Sequence, residues 1–126
     1  ATPCQVAAIE ALEGPQDHLK YMVEQYRLRR DYVMRRISEI PGLSCHAPAG
    51  TFYAFIDISQ LGMPCEEFAM KLLEERQVVV VPGTAFGEFG EGYIRLSYAT
   101  SMQCLEQGLQ ELEEFVRSHK TEGDPA

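Results

Sequence analysis

The chain has 126 residues, 45% of them hydrophobic and 24% charged, and its 19 Asp and Glu against 11 Lys and Arg give a formal net charge of −8. Such a length suits one ordinary domain whose core needs neither disulfide nor metal, and the negative charge argues against nucleic acid and anionic membrane surfaces as partners. No apolar run nears the roughly 20 residues of a membrane span and the first residues do not read as a signal peptide, so cytoplasm is the expected compartment.

Residues 5–12 are alanine-rich and read as a short helix closed by Gly14, after which Pro15 opens a second. From Leu19 onward Met22, Val23, Tyr26, Val33, Ile37 and Ile40 keep the three-and-four spacing of an amphipathic helix, until Pro41-Gly42 stops it. At 3.6 residues per turn this helix has about seven turns, more than the core of so small a chain requires, and its length suits a bridge between two bodies. It carries the one basic cluster, Arg27, Arg29, Arg30, Arg35 and Arg36. Glu24 stands three residues before Arg27, and Asp31 four after Arg27 and four before Arg35, so the cluster reads as a solvated helix face with locally paired charges.

Residues 43–46 suit a short strand and residues 51–58 a stronger one, with Phe52, Tyr53, Phe55 and Ile56 in it and Pro48-Ala49-Gly50 turning the chain between the two. Pro64 at a first helical position, Glu66 and Glu67 in the first turn, apolar Phe68, Ala69, Leu72 and Leu73, and Arg76 near the end mark a third helix. Four valines at 78–81 read as a buried strand. In the strand predicted over 93–98, period-2 alternation separates Tyr93, Arg95 and Ser97 from Ile94, Leu96 and Tyr98. Thr100 and Gln103 have capping-box spacing at the start of a last helix, whose Leu105, Leu109, Leu112, Phe115 and Val116 face inward, and fraying is expected over 121–126. The expected class is α+β: a small sheet of three to four strands covered by helices and preceded by a long domain-bridging helix.

Little in this inventory suits acid–base or nucleophilic catalysis. The loop from Gly83 through Gly87 and Gly90 to Gly92 has neither dinucleotide nor P-loop spacing, and its Glu88 and Glu91 would repel a phosphate. Its glycines read instead as positions of positive φ or close backbone approach. His18, His46 and His119 have no partner spacing and read as surface or turn residues, while Cys4, Cys45, Cys65 and Cys104 are scattered without a C-x-x-C pair and read as reduced structural thiols. No metal site is expected. Arg95 is the exception, because a permanent cation inside an apolar strand requires an anionic partner. That partner is either an internal carboxylate such as Glu88 or Glu91, or a ligand.

Three segments occur in order: Pro48-Ala49-Gly50-Thr51-Phe52-Tyr53, then Val79-Val80-Val81-Pro82-Gly83-Thr84-Ala85-Phe86-Gly87, then Gly92-Tyr93-Ile94-Arg95-Leu96-Ser97. Together they resemble the small C-terminal domain of class I/II, fold-type I pyridoxal-phosphate aminotransferases, and Gln5-Val6-Ala7-Ala8-Ile9-Glu10-Ala11-Leu12 with Arg29-Arg30-Asp31 resemble the helices leading into that domain.

The resemblance implies that Arg95 binds the α-carboxylate of an amino-acid or 2-oxo-acid substrate, a role suited to a planar fork that donates two parallel hydrogen bonds. It implies pyridoxal phosphate in a full-length, homodimeric parent and a large domain of the same chain that holds it. The serine-rich lysine segment and the Gly-x-Arg pattern of that large domain are not found here; Lys20, Lys71 and Lys120 stand in no such context. No catalytic or cofactor-binding residue is therefore expected in this segment, which is expected to bind no pyridoxal phosphate and to be inactive alone. The expected division is 1–14 belonging to or contacting the large domain, 15–120 the small domain and 121–126 a tail. A free-standing α+β interaction domain with a structural Arg95 ion pair, or a same-fold relative with other pyridoxal-phosphate chemistry, are the alternatives.

Overall fold

The computed structural model describes residues 1–119. Four helices and four short strands follow in the order α1 (Thr2–Glu13), α2 (Asp17–Glu39), β1 (Ser44–Cys45), β2 (Tyr53–Asp57), α3 (Cys65–Arg76), β3 (Val81–Pro82), β4 (Tyr93–Ser97) and α4 (Met102–His119). The expected tail at 121–126 lies outside the described residues. All neighbouring strands are antiparallel, in the order β1-β2-β4-β3, so β4 is central although it is last in the chain. The chain is thus a small α+β domain.

One face of this sheet makes the core. Ala54 and Ile56 of β2 and Ile94 and Leu96 of β4 point into it, where they meet Val33 and Ile37 of α2, Phe68 and Leu72 of α3, and the inward stripe of α4. All five apolar residues expected on that stripe are buried. Phe68 and Phe115 meet edge to face, 5.1 Å between ring centres, an arrangement that adds to what burial of each ring contributes, about 1.5–3 kcal/mol. Arg36 of α2 reaches Glu113 of α4 at 2.7 Å and fastens the helix layer at its rim.

Helix α2 outruns this core. At 1.5 Å per residue its 23 residues span about 34 Å, yet only Val33 and Ile37, in its second half, are buried. Leu19, Tyr21, Met22, Val23 and Leu28 remain exposed, as do Val6, Ile9 and Leu12 of α1, a helix with no buried residue. Among the described residues no helix is long and apolar enough to cross a membrane.

Several expectations need correction. The valine run is not a buried strand: β3 is an edge strand whose two paired residues face Arg95 and Ile94, and Val79 is 74% exposed while Val80 is buried. Gln77 ends α3 in the left-handed conformation, φ 57, and the chain then runs along the sheet margin, where alternate side chains face solvent. Pro64 is the residue before α3 rather than its first, and the cap of α4 is Ser101, whose Oγ accepts from the Cys104 N–H at 3.2 Å, not Thr100. Glu24 does pair with Arg27, but Asp31 pairs with adjacent Arg30 at 2.8 Å instead of with Arg27 or Arg35. Arg29 and Arg35 lie over the rings of Tyr26 and Tyr32. His119 packs on Phe115 and lies 3.3 Å from Glu75, so it closes the α3–α4 contact rather than standing free.

Candidate functional site: an arginine on the open sheet face

The alternation expected in β4 is observed: Ile94 and Leu96 are buried, and Tyr93, Arg95 and Ser97 belong to the opposite face. Register gives Arg95 its neighbours. It stands between Phe55 of β2 and Val81 of β3, while Tyr53 pairs with Ser97 and Asp57 with Tyr93. The helices contribute to the core on the other face, so this one is open and lined with aromatic rings.

The guanidinium carbon of Arg95 lies 4.2 Å from the ring centre of Tyr53 and 4.5 Å from that of Phe86. Phe86 meets Phe55 edge to face, and Phe55 stacks on Tyr93 at 5.1 Å. Each aromatic face attracts the cation, by about 0.5–1 kcal/mol where the site is exposed and more as it dries. Both rings lie against the guanidinium, whose planar fork of N–H donors suits a bidentate anion. Among the described residues no carboxylate lies within 4.0 Å of Arg95.

Two supports hold these rings. The turn before β2 is tied to the end of β4: the Tyr98 hydroxyl donates to the Thr51 carbonyl at 3.0 Å and the Tyr98 N–H to the Phe52 carbonyl at 2.9 Å. Thr51 has φ 66, a left-handed conformation unusual for a β-branched residue and held by these bonds. Burial pushes the Tyr98 hydroxyl pKa up from its ordinary value.

The second support is the glycine loop that brings Phe86 over the sheet. A Cβ on Gly83 would collide with the Gly90 carbonyl, and one on Gly90 with that of Gly83, so the two ends of the loop close backbone against backbone. Only glycine permits that approach. Glu91 then fastens the loop to α3: its Oε1 accepts the Cys65 N–H at 2.9 Å and the Gly92 N–H at 3.1 Å, and the Cys65 thiol donates to Oε2 at 3.4 Å. The bond from the Cys65 N–H, followed by those from its thiol and from Gly92, holds the Glu91 carboxyl below the usual carboxylate range.

Of the two internal carboxylates that could have paired with Arg95, Glu91 is thus engaged elsewhere and Glu88 makes no ion pair with it. Tyr53 and Phe86 join the site through contacts that only the fold creates. The register places Tyr53 and Phe55 on the Arg95 face, a long-range pairing that local spacing does not report, and Phe86 carries no local signal. The described lysines do not approach the site: Lys20 pairs with Asp17 on α2 and Lys71 with Glu67 on α3, both on the helix layer.

Comparison with known proteins agrees with this architecture. The family model described as aminotransferase class I and II matches residues 1–112. The chain is 42% identical over 118 residues to an aspartate aminotransferase of Pyrococcus horikoshii, and 40% identical over 118 residues to aromatic-amino-acid aminotransferase 2 of Thermococcus litoralis; each match covers 92% of this chain and 30% of the relative. The fold superposes on an alanine aminotransferase from Pyrococcus furiosus with a TM-score of 0.89 and 38% identity, covering 93% of this chain and 30% of that one. The chain thus spans about three-tenths of the length of the relatives it matches. On the extent and identity of these matches, the chain belongs to the aminotransferase class I and II family.

Proposed function

We propose that this segment is the small, C-terminal domain of a pyridoxal-phosphate-dependent aminotransferase, in which Arg95 receives the α-carboxylate of an amino-acid or 2-oxo-acid substrate. The observation that carries this reading is the state of Arg95: stacked between Tyr53 and Phe86 on an open sheet face, with no carboxylate beside it among the described residues. A cation packed against two rings, with no carboxylate beside it among the described residues, suits a bidentate anion.

The exposed apolar side chains of α1 and of the first half of α2 support the accompanying division of the parent. Residues 1–14 belong to or contact a large domain and residues 15–120 form the small domain, since apolar helix faces on this scale mark contact with another body. The large domain supplies the lysine and the phosphate grip for pyridoxal phosphate, which when bound provides the electron sink for amino-group transfer. Arg95 contributes orientation: holding the carboxylate fixes how the Cα–H bond stands to the cofactor plane. This segment alone is then inactive, and the parent is a cytoplasmic homodimer.

The test is to mix the full-length parent with a panel of amino acids and 2-oxo acids while following cofactor absorbance. Interconversion of the amino and aldehyde forms of the cofactor, driven by both substrate classes, is the expected result. A cofactor spectrum that no amino acid changes, or release of carbon dioxide without transfer, would overturn the transaminase reading.

A further inference from the structure

Phe86 closes the Arg95 site from above, yet it sits on a loop and is half exposed. The anchor is at the other end of the loop. Helix α3 begins after Pro64, a residue with no side-chain acceptor, so its first N–H groups need a cap from elsewhere. Glu91, 26 residues away in sequence, supplies it through the Cys65 N–H. Thr84 adds a parallel tie, its hydroxyl donating to Glu66 in the first turn of α3 at 3.1 Å. The loop that carries Phe86 is thereby fastened to α3 near both of its ends.

We infer that Glu91 is a positioning residue for the Arg95 site: its carboxylate locks the Gly83–Gly92 loop onto the N-terminus of α3, which keeps Phe86 stacked on Arg95 and keeps the negative charge of Glu91 itself away from the guanidinium. The second effect follows from the first. A carboxylate released from α3 would be a mobile anion on the loop adjoining Arg95, and it would compete with a substrate carboxylate for the same donors. The helix N-terminus, with its positive end and unsatisfied N–H groups, is what holds it back. The inference rests on the reading of Arg95 as a carboxylate-binding residue.

The experiment uses the full-length enzyme with 2-oxoglutarate and pyruvate as probes, comparing E91A, F86A, the double variant, E91Q and R95K. E91A is expected to raise KM about three- to fivefold, the scale of one lost ring–cation contact, with kcat nearly unchanged. E91Q keeps a carbonyl acceptor for the Cys65 N–H and should recover most of that loss. In an F86A background E91A should add little, because the ring it positions is gone. Should E91A not fold, E91S, whose hydroxyl is too short to reach Cys65, takes its place with the same expectation. If R95K raises KM while E91A leaves it unchanged, or if the effects of E91A and F86A multiply fully, the positioning role is wrong and the Arg95 reading stands. If R95K leaves KM unchanged, the Arg95 reading fails and the positioning role with it.

Discussion

The guanidinium of Arg95 is stacked on the ring of Tyr53, 4.2 Å from its centre, and that contact joins the two central strands across the open face of the sheet. Tyr53 is itself held from behind by the bonds between Tyr98 and the Thr51–Phe52 backbone. The site is therefore built on strands and braced from the core, an arrangement that fixes a donor fork better than a loop would.

Phe86 makes the other wall. Replacing it with leucine keeps an apolar cover but removes the ring face, and about 0.5–1 kcal/mol of cation attraction with it. In the full-length enzyme F86L should raise KM for 2-oxo acids about two- to fivefold and leave the unfolding midpoint within a degree or two. A larger change in kcat than in KM would contradict this.

Gly90→Ala tests the loop closure. The added Cβ would collide with the Gly83 carbonyl, and backbone on both sides leaves no flexible side chain to yield. The variant should lose about 2–3 kcal/mol of stability in urea unfolding and bind substrate more weakly, whereas Gly108→Ala in α4, which meets nothing within 4 Å, should be neutral or stabilising.

The Glu91 carboxyl gives a pH signature. Its folded pKa lies below its ordinary value because Cys65 and Gly92 donate to the ionised form, so protons bind the unfolded chain more tightly. The stabilisation is complete above the ordinary carboxylate range and is lost as pH falls through the depressed folded value. Between about pH 5 and pH 3 the wild-type unfolding midpoint should fall more steeply than that of E91Q. Parallel curves would show that the carboxylate contributes nothing through this cap.

Cys104 is the thiol to watch. It is exposed in the first turn of α4, where the Ser101 and then the Thr100 hydroxyls hold its pKa below the ordinary thiol value, whereas burial pushes Cys45 up and Cys65 is enclosed. Alkylation at neutral pH should show a fast phase that C104S removes and that slows as pH is lowered. A fast phase that persists in C104S would place the reactive thiol elsewhere.

What could be read from the residues and what could not divides along local and distant contacts. The inward stripe of α4 and the alternation of β4 follow from spacing alone, and both are observed. The long α2 also announced itself, since Pro41-Gly42 gives an unmistakable stop. Valines 78–81 misled because composition reports that a strand is apolar, not whether it lies at the centre or the edge of a sheet, and strand order is a long-range property. The capping of α3 by Glu91 has no local signature, since the donor and acceptor stand 26 residues apart. The same holds for Phe86 over Arg95: the arginine was conspicuous in its strand, but the ring that covers it arrives from a loop whose path depends on two glycines meeting.

The central claim is that Arg95 receives a substrate carboxylate, and R95K in the full-length enzyme tests it most directly. Lysine keeps the charge but replaces a bidentate fork with a point, at a cost of about 2 kcal/mol, so KM for amino and 2-oxo acids should rise roughly 30-fold without unfolding the domain. An unchanged KM in a folded R95K enzyme would contradict the account.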